Sequence, residues 1–243
     1  MKNKTSLTKD AILKDPYNYT LKEMKDCLGE EMATDFFESL YKNKPKIQNQ
    51  TVKIKEVFNG KDTLKYAFEL SDGYCIETVC IKRKTGITVC VSTMVGCPVG
   101  CIFCASGKNG FIRNLSSSEI VQQIVLLKEK VNRIVFMGMG EPLLNYGEVI
   151  KAIHILRDRD GLNFPTDGIT ISTVGPINQL KKLREEHLKI QLTLSLHATS
   201  QVKRDKVMPH MRGNSIDDVV EAVLSYSERH NRKVTIAYLL IPG

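Results

Sequence analysis

From about Thr85 onward the sequence alternates short apolar runs with longer amphipathic ones, and this alternation dictates the fold more than any other property of the chain. Strands are expected over residues 87–92, 133–137, 169–173, 191–196 and 234–241, with helices at about 117–131, 146–158, 176–186 and 216–230. Ser116, Ser117 or Ser118 can cap the first helix, and Asn214 or Ser215 the last, because their side-chain oxygens accept from the free N–H groups of a first turn. Ile134, Val135, Phe136 and Met137 are apolar on both faces of their strand, as a strand covered on both sides must be. Repeated strand–helix units with right-handed crossovers give an α/β fold with a parallel sheet, either open or curled into a partial (β/α) barrel. Ligands of such folds sit at the carboxyl ends of the strands.

Two smaller regions precede this core, which spans residues 85–243. Residues 1–50 are helical and polar: Leu21, Met24 and Leu28, then Met32, Phe36, Phe37 and Leu40, form two short amphipathic patterns broken by Gly29. Residues 51–84 contain three runs of β-formers separated by Asn59-Gly60 and Asp72-Gly73, dipeptides that tolerate the positive φ of tight hairpin turns. A small antiparallel unit is expected there.

With 42% hydrophobic and 26% charged residues, the 243-residue chain is neither disordered nor fibrous, and it is long enough to fold without disulfides. A formal charge of +8 suggests an anionic partner. Between residues 42 and 61 lie six lysines (42, 44, 46, 53, 55 and 61) against the single acid Glu56, either a solvated linker or a patch facing phosphates. No apolar run approaches the ~20 residues of a membrane span, and the charged start has no apolar stretch behind it. No membrane partner and a cytoplasmic location are therefore expected. Residues 234–243 are apolar on both faces with nothing after them to cover them, which reads as a fragment or as a surface that something else packs against.

All seven cysteines fall at or before position 104 (27, 75, 80, 90, 97, 101 and 104). An odd number without a secretory signal argues against a disulfide framework. Cys97, Cys101 and Cys104 follow the first strand of the alternating series at spacings of four and three, so their thiolates can converge on one centre. Structural zinc normally takes four protein ligands, and His154 is far along the chain. Three cysteines on a four-iron cluster would leave one iron open to a substrate. A zinc site with a distant fourth ligand, or plain structural cysteines, is the competing reading.

Here the sequence resembles the radical S-adenosylmethionine superfamily, and within it the RNA adenine-C2/C8 methyltransferases of the RlmN/Cfr family. The stretches that carry the likeness are CVSTMVGCPVGCIFCASG (90–107), FMGMGEPLLN (136–145), ISTVG (171–175), LSLH (194–197), RDKVMP (204–209) and IAYLLIPG (236–243). The resemblance implies a partial barrel of the radical-SAM type, a 4Fe–4S cluster on Cys97, Cys101 and Cys104, and S-adenosylmethionine contacted by Gly140, Glu141, Ser172, Ser195, Leu196 and His197. In that setting Glu141 is expected to receive the ammonium of the cosubstrate. Cys90 matches one of the family's two catalytic thiols and Glu77 its proton acceptor, while Cys27, Cys75 and Cys80 have no matching role.

The resemblance further implies methylation of adenine carbon 2 in ribosomal RNA, with transfer RNA as a second substrate, and a flavodoxin or ferredoxin as electron donor. The family's methyl-carrying cysteine lies in a C-terminal motif, and this chain has no cysteine after Cys104. A C-terminally shortened form that binds the cluster without completing methyl transfer is therefore expected. The alternatives are another radical reaction needing no acceptor cysteine and a catalytically silent RNA-binding fragment.

Overall fold

The computed structural model describes residues 7–42, 50–108, 110–211 and 213–240. Three helices open the chain: α1 (Lys9–Lys14), α2 (Leu21–Leu28) and α3 (Glu30–Tyr41). Thr20 and Glu23 form a reciprocal capping box that starts α2, and Gly29, at φ +86°, ends it. Four strands follow, β1 (Val52–Asn59), β2 (Thr63–Leu70), β3 (Cys75–Arg83) and β4 (Gly86–Cys90), then a short β5 (Met94–Gly96), α4 (Ala105–Lys108) and β6 (Phe111–Asn114). The remainder alternates: α5 (Ser117–Val125), β7 (Val131–Phe136), α6 (Tyr146–Arg157), β8 (Ile169–Thr173), α7 (Ile177–Glu185) and β9 (Gln191–Ser195). After β9 come α8 (Gln201–Val207), α9 (Ile216–His230) and β10 (Val234–Ala237).

Eight strands make one sheet in the order β1-β2-β3-β4-β7-β8-β9-β10. β1 to β4 pair antiparallel and β4, β7, β8, β9 and β10 pair parallel, so the hairpin strands extend the same sheet. The central strands bury Ile134, Phe136, Ile169, Ile171, Leu192 and Leu194 against α5, α6, α7 and α9, each burial contributing ~1.5–3 kcal/mol. The N-terminal helices join that core through Ile12, Met24 and Phe37, and the turn between α1 and α2 through Tyr17.

Four expectations change in detail. The helix foreseen at 117–131 ends at Val125, and β7 starts at Val131, two residues before the apolar run suggests. The strand foreseen at 87–92 stops at Cys90 because residues 91–94 turn to bond the loop after β7. The last strand runs only to Ala237, and residues 241–243 lie outside the described ones, as do Lys44 and Lys46 of the lysine-rich stretch. The β5–β6 ribbon was not foreseen.

Candidate active site at the carboxyl edge of the parallel strands

β4, β7, β8 and β9 all deliver their chain ends to one edge of the sheet, and every residue singled out from Cys90 to His197 lies there. The segment after β4 is zipped to the segment after β7: Val91 N–H donates to Val135 O (3.0 Å), Gly138 N–H to Val91 O (3.0 Å), and Thr93 and Met94 N–H both to Met139 O (2.8 and 3.2 Å). A Cβ on Gly138 would stand 2.7 Å from the Val91 carbonyl, so only glycine permits this approach. Asn145 fastens the same corner, its Nδ2 donating to Thr93 O (2.9 Å) and Leu115 O (2.8 Å).

The cysteine loop leaves β5 at Gly96, whose φ of +75° lets it close on Gly110. Cys97 N–H donates to Gly110 O at 2.9 Å, and Cys104 N–H to Cys101 O at 3.1 Å. From outside, His210 Nδ1 donates to Pro98 O at 2.7 Å. Cys97, Cys101 and Cys104 are half-buried and free, and the first two pack on Val99, Val174, Met208 and Met211. Burial pushes the Cys101 thiol up to about 12, with the neighbouring Cys97 and Cys104 sulfurs adding to it. Burial raises Cys97 as well, and Glu141 and Cys104 work in the same direction. The three sulfurs therefore lie within one another's electrostatic reach. Among the described residues no three His, Cys, Asp or Glu side chains are yet converged on a point that would hold an ion. Binding a metal must expel the protons that burial holds on Cys97 and Cys101.

Glu141, in the loop after β7, is 3% exposed. Its Oε1 accepts from Leu143 N–H (3.0 Å) and Thr173 Oγ1 (2.7 Å), and its Oε2 from Val174 N–H (2.9 Å). Burial lifts its carboxyl from 4.5 to about 7 against the pull of these three bonds. A carboxylate has about four acceptor positions, so this arrangement leaves one, on Oε2, for a cation. Expected as a ligand contact, Glu141 is also the knot between the ends of β7 and β8.

Ser172 on β8 and Ser195 on β9 bring their hydroxyls to 3.2 Å. Two residues on, His197 adopts φ +59°, its Nδ1 accepts from Leu239 N–H (3.2 Å), and its ring meets Phe103 of the cysteine loop edge-to-face at 5.1 Å. Burial, and then the charge of Arg204, hold its pKa below the usual value. Leu196 N–H donates to Ala237 O at 3.1 Å, tying this turn to β10.

Cys90 ends β4 between Val79 of β3 and Val135 of β7, and burial raises its thiol to about 11. Glu77 lies on β3 two residues from the Val79–Cys90 pair; its carboxylate is exposed and paired with Lys65 at 2.7 Å. An exposed pair of this kind contributes ~0–1 kcal/mol, so it is easily exchanged for another partner.

Sequence reasoning missed three residues that frame the site. Arg204 is 1% exposed, and its guanidinium donates to Val174 O (2.5 Å) and Asn214 O (3.2 Å). Ser92 and Gln123 are both fully buried. The signal for Gln123 was available: a glutamine pair, Gln122-Gln123, in the middle of a helix whose neighbours are apolar.

The sequence profile of the Radical SAM superfamily matches residues 91–243. The chain belongs to the radical SAM superfamily. It is 58% identical over 184 residues to a probable RNA methyltransferase of Rhodopseudomonas palustris, covering 76% of this chain and 51% of that one. It is 46% identical over 199 residues to a probable dual-specificity RNA methyltransferase RlmN of Pseudothermotoga lettingae, covering 80% and 58%. The crystal structure of a radical SAM methyltransferase from Sphaerobacter thermophilus superposes with a TM-score of 0.88 at 31% identity, covering 93% of this chain and 76% of that one. The chain spans about half the length of the curated relatives it matches. Radical SAM membership implies a 4Fe–4S cluster and S-adenosylmethionine. The donor set suits the cluster, because three neighbouring cysteine sulfurs are soft ligands of the kind iron–sulfur centres require. Among the described residues no helix is long and apolar enough to cross a membrane.

Proposed function

We propose that this chain carries the cofactor-binding and much of the catalytic apparatus of an RNA methyltransferase acting on carbon 2 of an adenine in ribosomal RNA, with transfer RNA as a further substrate. The observation that carries the reading is the convergence, at one sheet edge, of the cysteine loop, the Met137–Glu141 turn and the Ser172–Ser195 pair. Relatives named as RNA methyltransferases supply the substrate class.

In this reading Cys97, Cys101 and Cys104 hold the cluster. When bound, it supplies the one-electron reduction of S-adenosylmethionine that functionalising an electron-poor ring carbon requires. Gly140 offers backbone to the cosubstrate, and Glu141 Oε2 offers its remaining acceptor position to the ammonium. Ser172 and Ser195 present paired hydroxyls, while Leu196 and His197 form the turn beside them. Because Nδ1 of His197 is already accepting from Leu239 N–H, the neutral ring carries its proton on Nε2, which is left as a donor. Cys90 acts as a thiol that must lose its proton before it reacts, and Glu77 is the acceptor of a substrate proton once it leaves Lys65. A flavodoxin or ferredoxin donates the electron, and the protein works in the cytoplasm.

Anaerobic reconstitution with ferrous salt and sulfide tests this directly. The expected result is four irons and near four sulfides per chain, with S-adenosylmethionine cleavage under reduction. Zinc or no metal would instead favour the silent RNA-binding alternative. Mass analysis of ribosomal RNA from cells with and without the gene then separates adenine methylation from another radical reaction.

A further inference from the structure

The side chain of Gln123 on α5 uses its whole hydrogen-bonding capacity on one spot. Its Oε1 accepts from Ser92 N–H (2.8 Å) and from Thr78 Oγ1 (2.7 Å), and its Nε2 donates to Ser92 O (2.9 Å) and to Glu119 O (3.2 Å). Gln123, Ser92 and Thr78 are all 0% exposed. The β3–β4 ladder ends at the Val79–Cys90 pair, and the amide of Gln123 takes the place of the next strand partner for both backbone groups of Ser92.

Held in this way, Ser92 turns its hydroxyl between two parts of the site. The Oγ donates to Glu77 O at 2.6 Å and accepts from Met139 N–H at 3.0 Å. The carbonyl of the same Met139 is taken by Thr93 and Met94 N–H, so both backbone groups of the residue before Gly140 are fixed by the segment leading to Cys97. Three things therefore hang from one serine: the strand bearing Glu77, the turn bearing Gly140 and Glu141, and the approach to the cysteine loop.

We propose that Gln123 is a positioning residue for the cosubstrate: through Ser92 it sets the distance between the cysteine loop and the Gly140–Glu141 turn, and so the affinity for S-adenosylmethionine. This rests on the cofactor reading given above. Gln123 touches neither the cysteines nor the turn, and acts entirely through the Ser92 hydroxyl. A merely structural glutamine would change cluster uptake and cosubstrate binding together, whereas a positioning one separates them.

The test is made on the full chain reconstituted anaerobically, comparing the unaltered protein with Gln123→Met, Ser92→Ala and the double variant. Iron per chain, S-adenosylmethionine affinity by equilibrium dialysis and melting midpoint are measured on each. Iron should stay at the level of the unaltered protein while S-adenosylmethionine binds at least about tenfold more weakly in both single variants. The double variant should be no weaker than Gln123→Met alone, because two changes on one route are not additive. Gln123→Glu, which keeps the acceptor and loses the donor, should fall between. Affinity within twofold of the unaltered protein in both single variants, or affinity lost only in step with iron, overturns the proposal. If Gln123→Met fails to fold, Ser92→Ala, which removes one oxygen, decides alone. An unaltered protein that takes up iron yet binds no S-adenosylmethionine overturns the cofactor reading and this proposal with it, a result distinct from normal binding that the variants leave unchanged.

Discussion

Thr173 Oγ1 gives its proton to Glu141 Oε1 at 2.7 Å, and then accepts from Gly175 N–H at 3.0 Å. The hydroxyl thus couples a buried carboxylate at the end of β7 to the turn that leaves β8. Glu141 caps the short helical turn Pro142–Asn145 from the same position. Leu143 N–H, Thr173 Oγ1 and Val174 N–H are all neutral donors, so burial raises the pKa of its carboxyl with no positive charge among them to oppose the shift.

The pH dependence of stability follows with a definite sign. Glu141 is held near 7 in the folded protein against 4.5 as its ordinary value, so the folded state binds the extra proton. Stability from this group is full below about 4.5 and is lost as pH rises towards about 7, an effect on the order of 3 kcal/mol. Glu141→Gln removes the titration. Urea unfolding of both proteins at pH 5 and pH 8 should show the unaltered protein losing ground to the variant at the higher pH. A constant difference between the two would contradict this account.

Metal loading should run the opposite way with pH. Cys97 and Cys101 must give up protons that burial makes hard to remove, so iron uptake should be markedly greater at pH 8.5 than at pH 6.5. Replacing Cys97, Cys101 or Cys104 by Ala should abolish stable iron binding. Colorimetric iron and sulfide assays after gel filtration read both outcomes.

Gly138→Ala places a methyl group 2.7 Å from the Val91 carbonyl and 2.8 Å from Ser92 N. The two segments must separate, at a cost of ~2–4 kcal/mol by analogy with overpacked interiors. A urea midpoint close to that of the unaltered protein would mean that the seam is looser than it looks.

The start of α5 is a third point of sensitivity. Ser116 and Glu119 form a capping box, and Glu119, 5% exposed, also takes two bonds from Arg113, each 2.8 Å long. Ser116→Ala should cost ~1 kcal/mol and Glu119→Ala ~2–4 kcal/mol, since the second change also takes two charged hydrogen bonds from Arg113, leaving it only Asp72 and the Asn114 carbonyl. Thermal melts of the two variants should rank in that order.

What could be read in advance depended on how local the signal was. Helices α6 and α9 were visible because their apolar periodicity is bounded by clear ends; Ser215 caps α9 and Asn231, at φ +49°, closes it. α5 was drawn too long because Lys128-Glu129-Lys130 continues a helical pattern that the chain abandons at Leu126 to reach β7. β5 and β6, three and four residues long, are too short to show any period. In the site, the cysteine spacing was a purely local signal. The Ser172–Ser195 contact spans 23 positions and exists only because β8 and β9 are parallel neighbours in a particular register. Gln123 could be seen as odd, but its partner 31 residues upstream could not be named without the fold.

The half-sunken position of the sulfurs has a further outcome for handling the protein. Cys90 and Cys101, raised to about 11 and about 12, and Cys97, raised in the same direction, carry almost no thiolate at neutral pH. Peroxide and disulfide reagents attack thiolates, so freshly made chains awaiting iron are shielded from crosslinking and overoxidation at these positions. The burial that makes metal binding at Cys97 and Cys101 a proton-releasing step thus also slows oxidation at those two sulfurs and at Cys90.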